Sequence, residues 1–155
     1  MSQRTQPSSR TCFVCGRENP LGLAARWESD PEKGEVRATL EIPEHFNGFP
    51  GTVHGGVISA LLDEAAVRTA LLQGGFDDMM VTAKLEVAFR KPTPTCTPVV
   101  VTGRIVRAGT SRVQAEAELR LPGGAVAARA QALLTRPSAE VAAAWEAERE
   151  HFKVA

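Results

Sequence analysis

The chain has 155 residues, 43% hydrophobic and 23% charged, enough for one globular domain and too few for two. Eighteen basic residues balance eighteen acidic ones, which argues against nucleic acid or an anionic membrane as partner, since both select a basic excess. No apolar run approaches the ~18 residues of a membrane span, and three cysteines without an export signal point to a reducing cytoplasm and no disulfide framework.

Met1 to Arg10 is polar, without an apolar core, and reads as part of a flexible tail over residues 1–11 ahead of a single domain over 12–155. Cys12-x2-Cys15 has the spacing of half a tetrahedral zinc site, but Cys96, His45, His54 and His151 are scattered and include no second close pair. A redox pair would belong beside a parallel unit that is absent here. Neither a metal nor a cofactor is therefore expected. Leu23 to Trp27 is a weak strand, and Glu35 to Ile42 alternates cleanly, with Val36, Ala38, Leu40 and Ile42 inward.

From about Gly56 to Gln73, closed by Gly74-Gly75, apolar residues occupy almost every direction around a helix, the pattern of a buried helix. Four strands follow: Val81 to Arg90, with Val81, Ala83, Leu85, Val87 and Phe89 inward; Val99 to Arg107; Val113 to Leu121; and Ala125 to Thr135. Pro122-Gly123-Gly124 marks a hairpin, and short turns predict an antiparallel meander of all four. Ser138 to Phe152 is a helix capped by Ser138. A long buried helix covered by a one-faced antiparallel sheet of about six strands is an α+β hotdog fold, here with an added C-terminal helix.

Two carboxylates interrupt the apolar helix. Glu64 precedes Arg68 by four residues, the favourable order for a helical ion pair. Asp63 has no basic residue three or four positions away, which leaves two readings. It meets solvent or a loop at a gap in the sheet, or it is a partly desolvated carboxylate tuned toward general-base work. Ahead of the helix, Phe46 to Gly56 holds four glycines and a proline and ends in His54-Gly55-Gly56. Free N–H groups at this helix start can receive an oxyanion; the plainer readings are a tight helix entry and, for His54, a structural hydrogen bond. Gly56 and Asp63 are about 10 Å apart along a helix, so one small reacting group cannot touch both. A shared site requires two chains, with adjacent helices antiparallel about a two-fold axis.

The run His54-Gly55-Gly56-x6-Asp63-Glu64-Ala65 resembles the signature of hotdog acyl-CoA thioesterases, especially the phenylacetate-pathway type. Cys12-Phe13-Val14-Cys15-Gly16, Asn19-Pro20-Leu21-Gly22-Leu23, Phe49-Pro50-Gly51-Thr52-Val53 and Val81-Thr82-Ala83-Lys84-Leu85 leading to Arg90-Lys91-Pro92 extend the resemblance over about Cys12 to Arg136. It implies that Asp63 is the general base or nucleophile, and that the Gly55 or Gly56 N–H of the partner chain polarises the thioester carbonyl. His54 would shape the loop, and Thr82 would hold the attacking water. Asn47 lies near a place where some relatives carry asparagine. Val57 and Phe49 are candidate pocket walls, and Arg90 and Lys91 are candidate contacts for CoA phosphates or plain solvated charges. CoA enters as part of the substrate, so no separate cofactor is implied. The implied assembly is a homodimer, with a dimer of dimers as the larger form.

Two further readings share the loop. His45-Phe46-x-Gly48-x-Pro50 is similar to a hotdog dehydratase loop, but that family places a glutamate near what are Ser59 and Leu61 here. A non-catalytic acyl-CoA sensor would keep the glycines without needing an acid at Asp63.

Overall fold

The computed structural model describes residues 3–154. Its strands are β1 (Arg4–Thr5), β2 (Glu28–Asp30), β3 (Glu35–Glu41), β4 (Asn47–Phe49), β5 (Thr52–Val53), β6 (Val81–Phe89), β7 (Pro98–Ala108), β8 (Arg112–Arg120) and β9 (Val126–Thr135). The helices are α1 (Gly55–Arg68) and α2 (Ala139–Trp145). Seven strands form one antiparallel sheet in the order β1-β2-β3-β7-β8-β9-β6, and β4 and β5 form a small separate ribbon. Mixed α+β architecture with a sheet around a central helix is the expected hotdog arrangement. No helix among the described residues is long and apolar enough to cross a membrane.

Alternation explains the sheet's inner face. Val36, Ala38, Val99, Val101, Ala115, Ala117, Leu119, Ala128, Ala130 and Leu134 are all buried, and they meet Ile58, Leu61, Leu62, Ala65 and Ala66 of α1. Gly103 on β7 sets the closeness of that packing. A Cβ there would lie 2.3 Å from the Ala65 carbonyl oxygen, so only a glycine lets the helix come this near. The hairpin between β8 and β9 turns through Gly123 and Gly124, both at positive φ.

Several expectations change. The four late strands are not one meander: β7, β8 and β9 are, but β6 pairs with β9 at the far edge, and β7 pairs with β3. The proline-rich connection after Phe89 does not turn back tightly. It crosses the end of the sheet, where Arg90 and Lys91 both donate backbone N–H groups to Ala127 and Cys96 donates to Ile42. Leu23 to Trp27 is not a sheet strand. Its burial alternates as expected, but Leu23 and Ala25 donate to Phe13 and Val14 in the preceding loop, and Ala24 has φ of 50°.

α1 stops at Arg68 and tightens into a 3-10 turn over Thr69–Leu71 rather than continuing to Gln73. The Thr69 hydroxyl donates to the Ala66 carbonyl at 2.7 Å and competes with the helical ladder. Ser138 caps α2 by accepting from Val141 N–H, and the chain beyond Trp145 also tightens to a 3-10 form.

From Arg4 the N-terminal segment pairs with and packs on the domain; Met1 and Ser2 lie outside the described residues. Gln6 and Ser8 are buried, Gln6 N–H donates to Trp27, Ser8 pairs with Lys153, and Arg10 meets Glu148 at 2.6 Å. Polar composition reads as a tail, yet Gln6 and Ser8 are buried and hydrogen-bonded.

Candidate active site

His54 is the N-cap of α1. Its backbone is extended, with φ −60° and ψ 133°, and its Nδ1 accepts from Gly56 N–H at 2.8 Å. The ring therefore carries its neutral-state proton on Nε2. Val57 and Ile58 N–H groups are taken by the His54 carbonyl. Of the two glycines expected to receive an oxyanion, Gly56 already spends its donor on His54. The Gly55 N–H has no partner among the described residues. The ring of Phe89, half exposed at the end of β6, lies beside Gly55: a Cβ added there would meet it at 3.4 Å.

Asp63 lies two turns further along α1 and is partly buried. Thr82 Oγ1 donates to Asp63 Oδ1 at 2.6 Å. Simple alternation puts Thr82 on the wrong face, and the correction is a β-bulge. Thr82 pairs with Leu134 and Lys84 with Leu133, so Ala83 is an extra residue with no partner of its own. The bulge shifts parity. Thr82 joins buried Leu134 on the helix side, Ala83 becomes exposed, and Val81 is only half buried. The expected inward positions Val81 and Ala83 give way to Thr82, Leu85 and Val87 keep theirs, and Phe89 at the strand end is exposed rather than inward.

Glu64 makes the expected pair with Arg68, Nε to Oε1 at 2.8 Å. Arg68 is buried, donates also to Gln6 Oε1 and the Pro7 carbonyl, and lies 5.8 Å from the Trp27 ring centre. Sequence patterning missed that Glu64 also faces two thiols, with Oε2 3.9 Å from Cys12 Sγ. A hydrogen bond from the Cys15 side chain, aided by backbone N–H groups, draws the Cys12 thiol down to about 7. Donating that bond, together with burial, pushes Cys15 up to about 12. Burial raises Glu64 to about 7 against the pull of Arg68.

The remaining candidates fall around the entry to α1. Asn47 is half buried on β4 opposite Val53 and makes no side-chain hydrogen bond among the described residues. Val57 packs on the core edge. Phe49 is 80% exposed, and Arg90 and Lys91 are exposed without an ion pair among the described residues. A depression of about 580 Å³ lies elsewhere, lined by Thr69, Met80, Arg104 and Val113 among others; it includes neither Asp63 nor Gly55. One chain thus presents an acid at one point of α1 and a free donor at its start, with no cavity joining them among those described.

The model of the thioesterase superfamily matches residues 50–128, which span the end of the loop, α1 and strands β6, β7 and β8. Rat (Rattus norvegicus) acyl-coenzyme A thioesterase THEM4 is 36% identical over 100 residues, 64% of this chain and 42% of that protein. The chain therefore spans about two fifths of that relative's length. The crystal structure of RHA08564, a thioesterase superfamily protein, superposes with a TM-score of 0.74 at 28% identity, covering 81% of this chain and 63% of that one. A phenylacetic acid degradation-related putative thioesterase from Ralstonia eutropha shares the fold, with a TM-score of 0.66 at 22% identity over 73% of this chain and 85% of its own.

Proposed function

This chain belongs to the thioesterase superfamily, and we propose that it hydrolyses acyl-CoA thioesters to the free acid and CoA, with Asp63 as the catalytic carboxylate. The observation that carries the reading is the Thr82–Asp63 hydrogen bond, which the bulge makes possible and which orients one carboxylate oxygen while leaving the other for water or substrate. The thioester carbonyl docks on the Gly55 N–H of a partner chain, which binds the developing oxyanion more strongly than the ground state. Asp63 then takes a proton from water or attacks the carbonyl itself. CoA thiolate leaves readily and needs no strong acid. Arg90 and Lys91 meet the CoA phosphates, and Phe49 and Val57 line the acyl path.

A homodimer completes the site. β6 is a nine-residue edge strand whose second edge is unpaired among the described residues. Such an edge invites a second strand. Two-fold pairing of β6 with its copy sets the Thr82 end of one chain beside the Phe89 end of the other. Asp63 is bonded to Thr82 and Phe89 lies beside Gly55, so that symmetry brings acid and donor together twice per dimer.

The test is thiol release from a panel of acyl-CoAs by the wild-type chain. Turnover with first-order dependence on enzyme supports hydrolysis; saturable binding with no thiol release would make the protein a sensor and overturn it.

A further inference from the structure

Cys12 Sγ, Cys15 Sγ and a Glu64 carboxylate oxygen all lie within 4.8 Å of one another. We propose that these three residues hold one divalent cation of the zinc class, which clips the Cys12–Gly16 turn onto α1. The spacing of the cysteines alone leaves half a site. Folding supplies a carboxylate instead, from a helix 52 residues away in sequence.

The donor set suits such an ion. Two thiolates with two residues between them and one carboxylate are tetrahedral zinc ligands, and the fourth position falls to water on the half-exposed Cys12 side. The turn is already shaped for it. Val14 and Cys15 N–H groups both point at Cys12 Sγ at 3.3 Å, and Gly16 N–H closes on the Cys12 carbonyl at 2.8 Å. A Cβ on Gly16 would lie 2.4 Å from that carbonyl, so glycine is required there.

Glu64 is held in place from behind. Arg68 occupies Oε1, which leaves Oε2 turned toward the sulfurs, the outer-sphere arrangement that orients a metal carboxylate. Arg68 is itself fixed by Gln6, Pro7 and Trp27. The charges close: three anionic ligands are neutralised by one dication and the buried guanidinium, as a buried cluster needs. Asp63 is outside the set, so the ion would be structural. By holding Glu64 it would fix the rotation of α1 that turns Asp63 toward Thr82. The proposal does not depend on the reaction assigned above.

The test uses reduced, metal-free full-length protein with Co²⁺ and Zn²⁺ as probes. The expected results are one Zn²⁺ per chain in competition with a chromophoric chelator, and thiolate-to-cobalt absorption with Co²⁺. Cys12→Ser should weaken binding by about a hundredfold or more and Glu64→Gln by at least about tenfold, while Cys96→Ser at an exposed thiol binds as wild type. Absence of the cobalt absorption in the wild type overturns the site, as does unchanged affinity in Cys12→Ser. Ready oxidation of Cys12 and Cys15 to a disulfide, in a protein whose reduced form takes up neither ion, would also overturn it and make the pair a redox one.

Discussion

Thr82 reaches Asp63 at 2.6 Å because Ala83 is an extra residue in β6 that reverses which face its neighbours occupy. The bond is from a hydroxyl to a carboxylate, worth about 1.5–3 kcal/mol when the acceptor is charged. It fixes one oxygen of Asp63, so in the proposed mechanism Thr82 acts as a positioning residue. Thr82→Val should therefore lower kcat by about ten- to a hundredfold with little change in KM, and Thr82→Ser should recover most of the loss. Steady-state kinetics on one acyl-CoA separate the two parameters; an unchanged kcat in Thr82→Val contradicts the role.

His54 acts through its N-cap bond to Gly56. Losing a good cap costs about 1 kcal/mol, which for a chain of this size is about 2–4 °C in Tm. His54→Ala should show that drop by thermal unfolding, and His54→Asn, which can cap, should show less of it. The same two variants read the loop's effect on rate.

Gly103→Ala should be among the most damaging single substitutions outside the candidate site. The new methyl would lie 2.3 Å from a helix carbonyl that cannot move without shifting α1 off the sheet. The expected cost is about 1–3 kcal/mol, measured by denaturant unfolding. Gly124→Ala, where no atom lies within 4 Å, tests strain at positive φ instead of contact.

Gly55→Pro isolates the donor. Proline removes the free N–H, is favoured at the first helical position, and is compatible with the extended conformation of His54 before it. The chain should fold, yet lose about 10²–10³ in kcat, the usual effect of removing one oxyanion donor. Mixing Gly55→Pro chains with Asp63→Asn chains should then restore about a quarter of wild-type activity, since half of randomly exchanged dimers carry one intact site of two. No recovery after verified exchange would contradict a site shared between the two chains.

Much of this was readable in sequence where the physical cause is local. Alternation found β3, β7, β8 and β9, apolar density found α1, and four-residue spacing found the Glu64–Arg68 pair. The strand order was not readable, because the partner of β6 depends on how the proline-rich connection crosses the sheet end. The bulge at Ala83 leaves no composition signal, so parity misassigned Thr82. The packed N-terminus was hidden for a related reason. Gln6 and Ser8 are polar, and their burial depends on partners far along the chain. The division of labour between Gly55 and Gly56 needed the His54 ring position, which only the fold supplies.

The central claim is that Asp63 carries the chemistry, and the direct measurement is kcat/KM for thiol release by Asp63→Asn, with folding checked by its Tm. Asparagine keeps the shape and can still accept from Thr82 but cannot take a proton or attack. The account predicts a loss of at least about a hundredfold in a chain that still folds, the scale of a lost general base. An Asp63→Asn protein that hydrolyses acyl-CoA at the wild-type rate would contradict it.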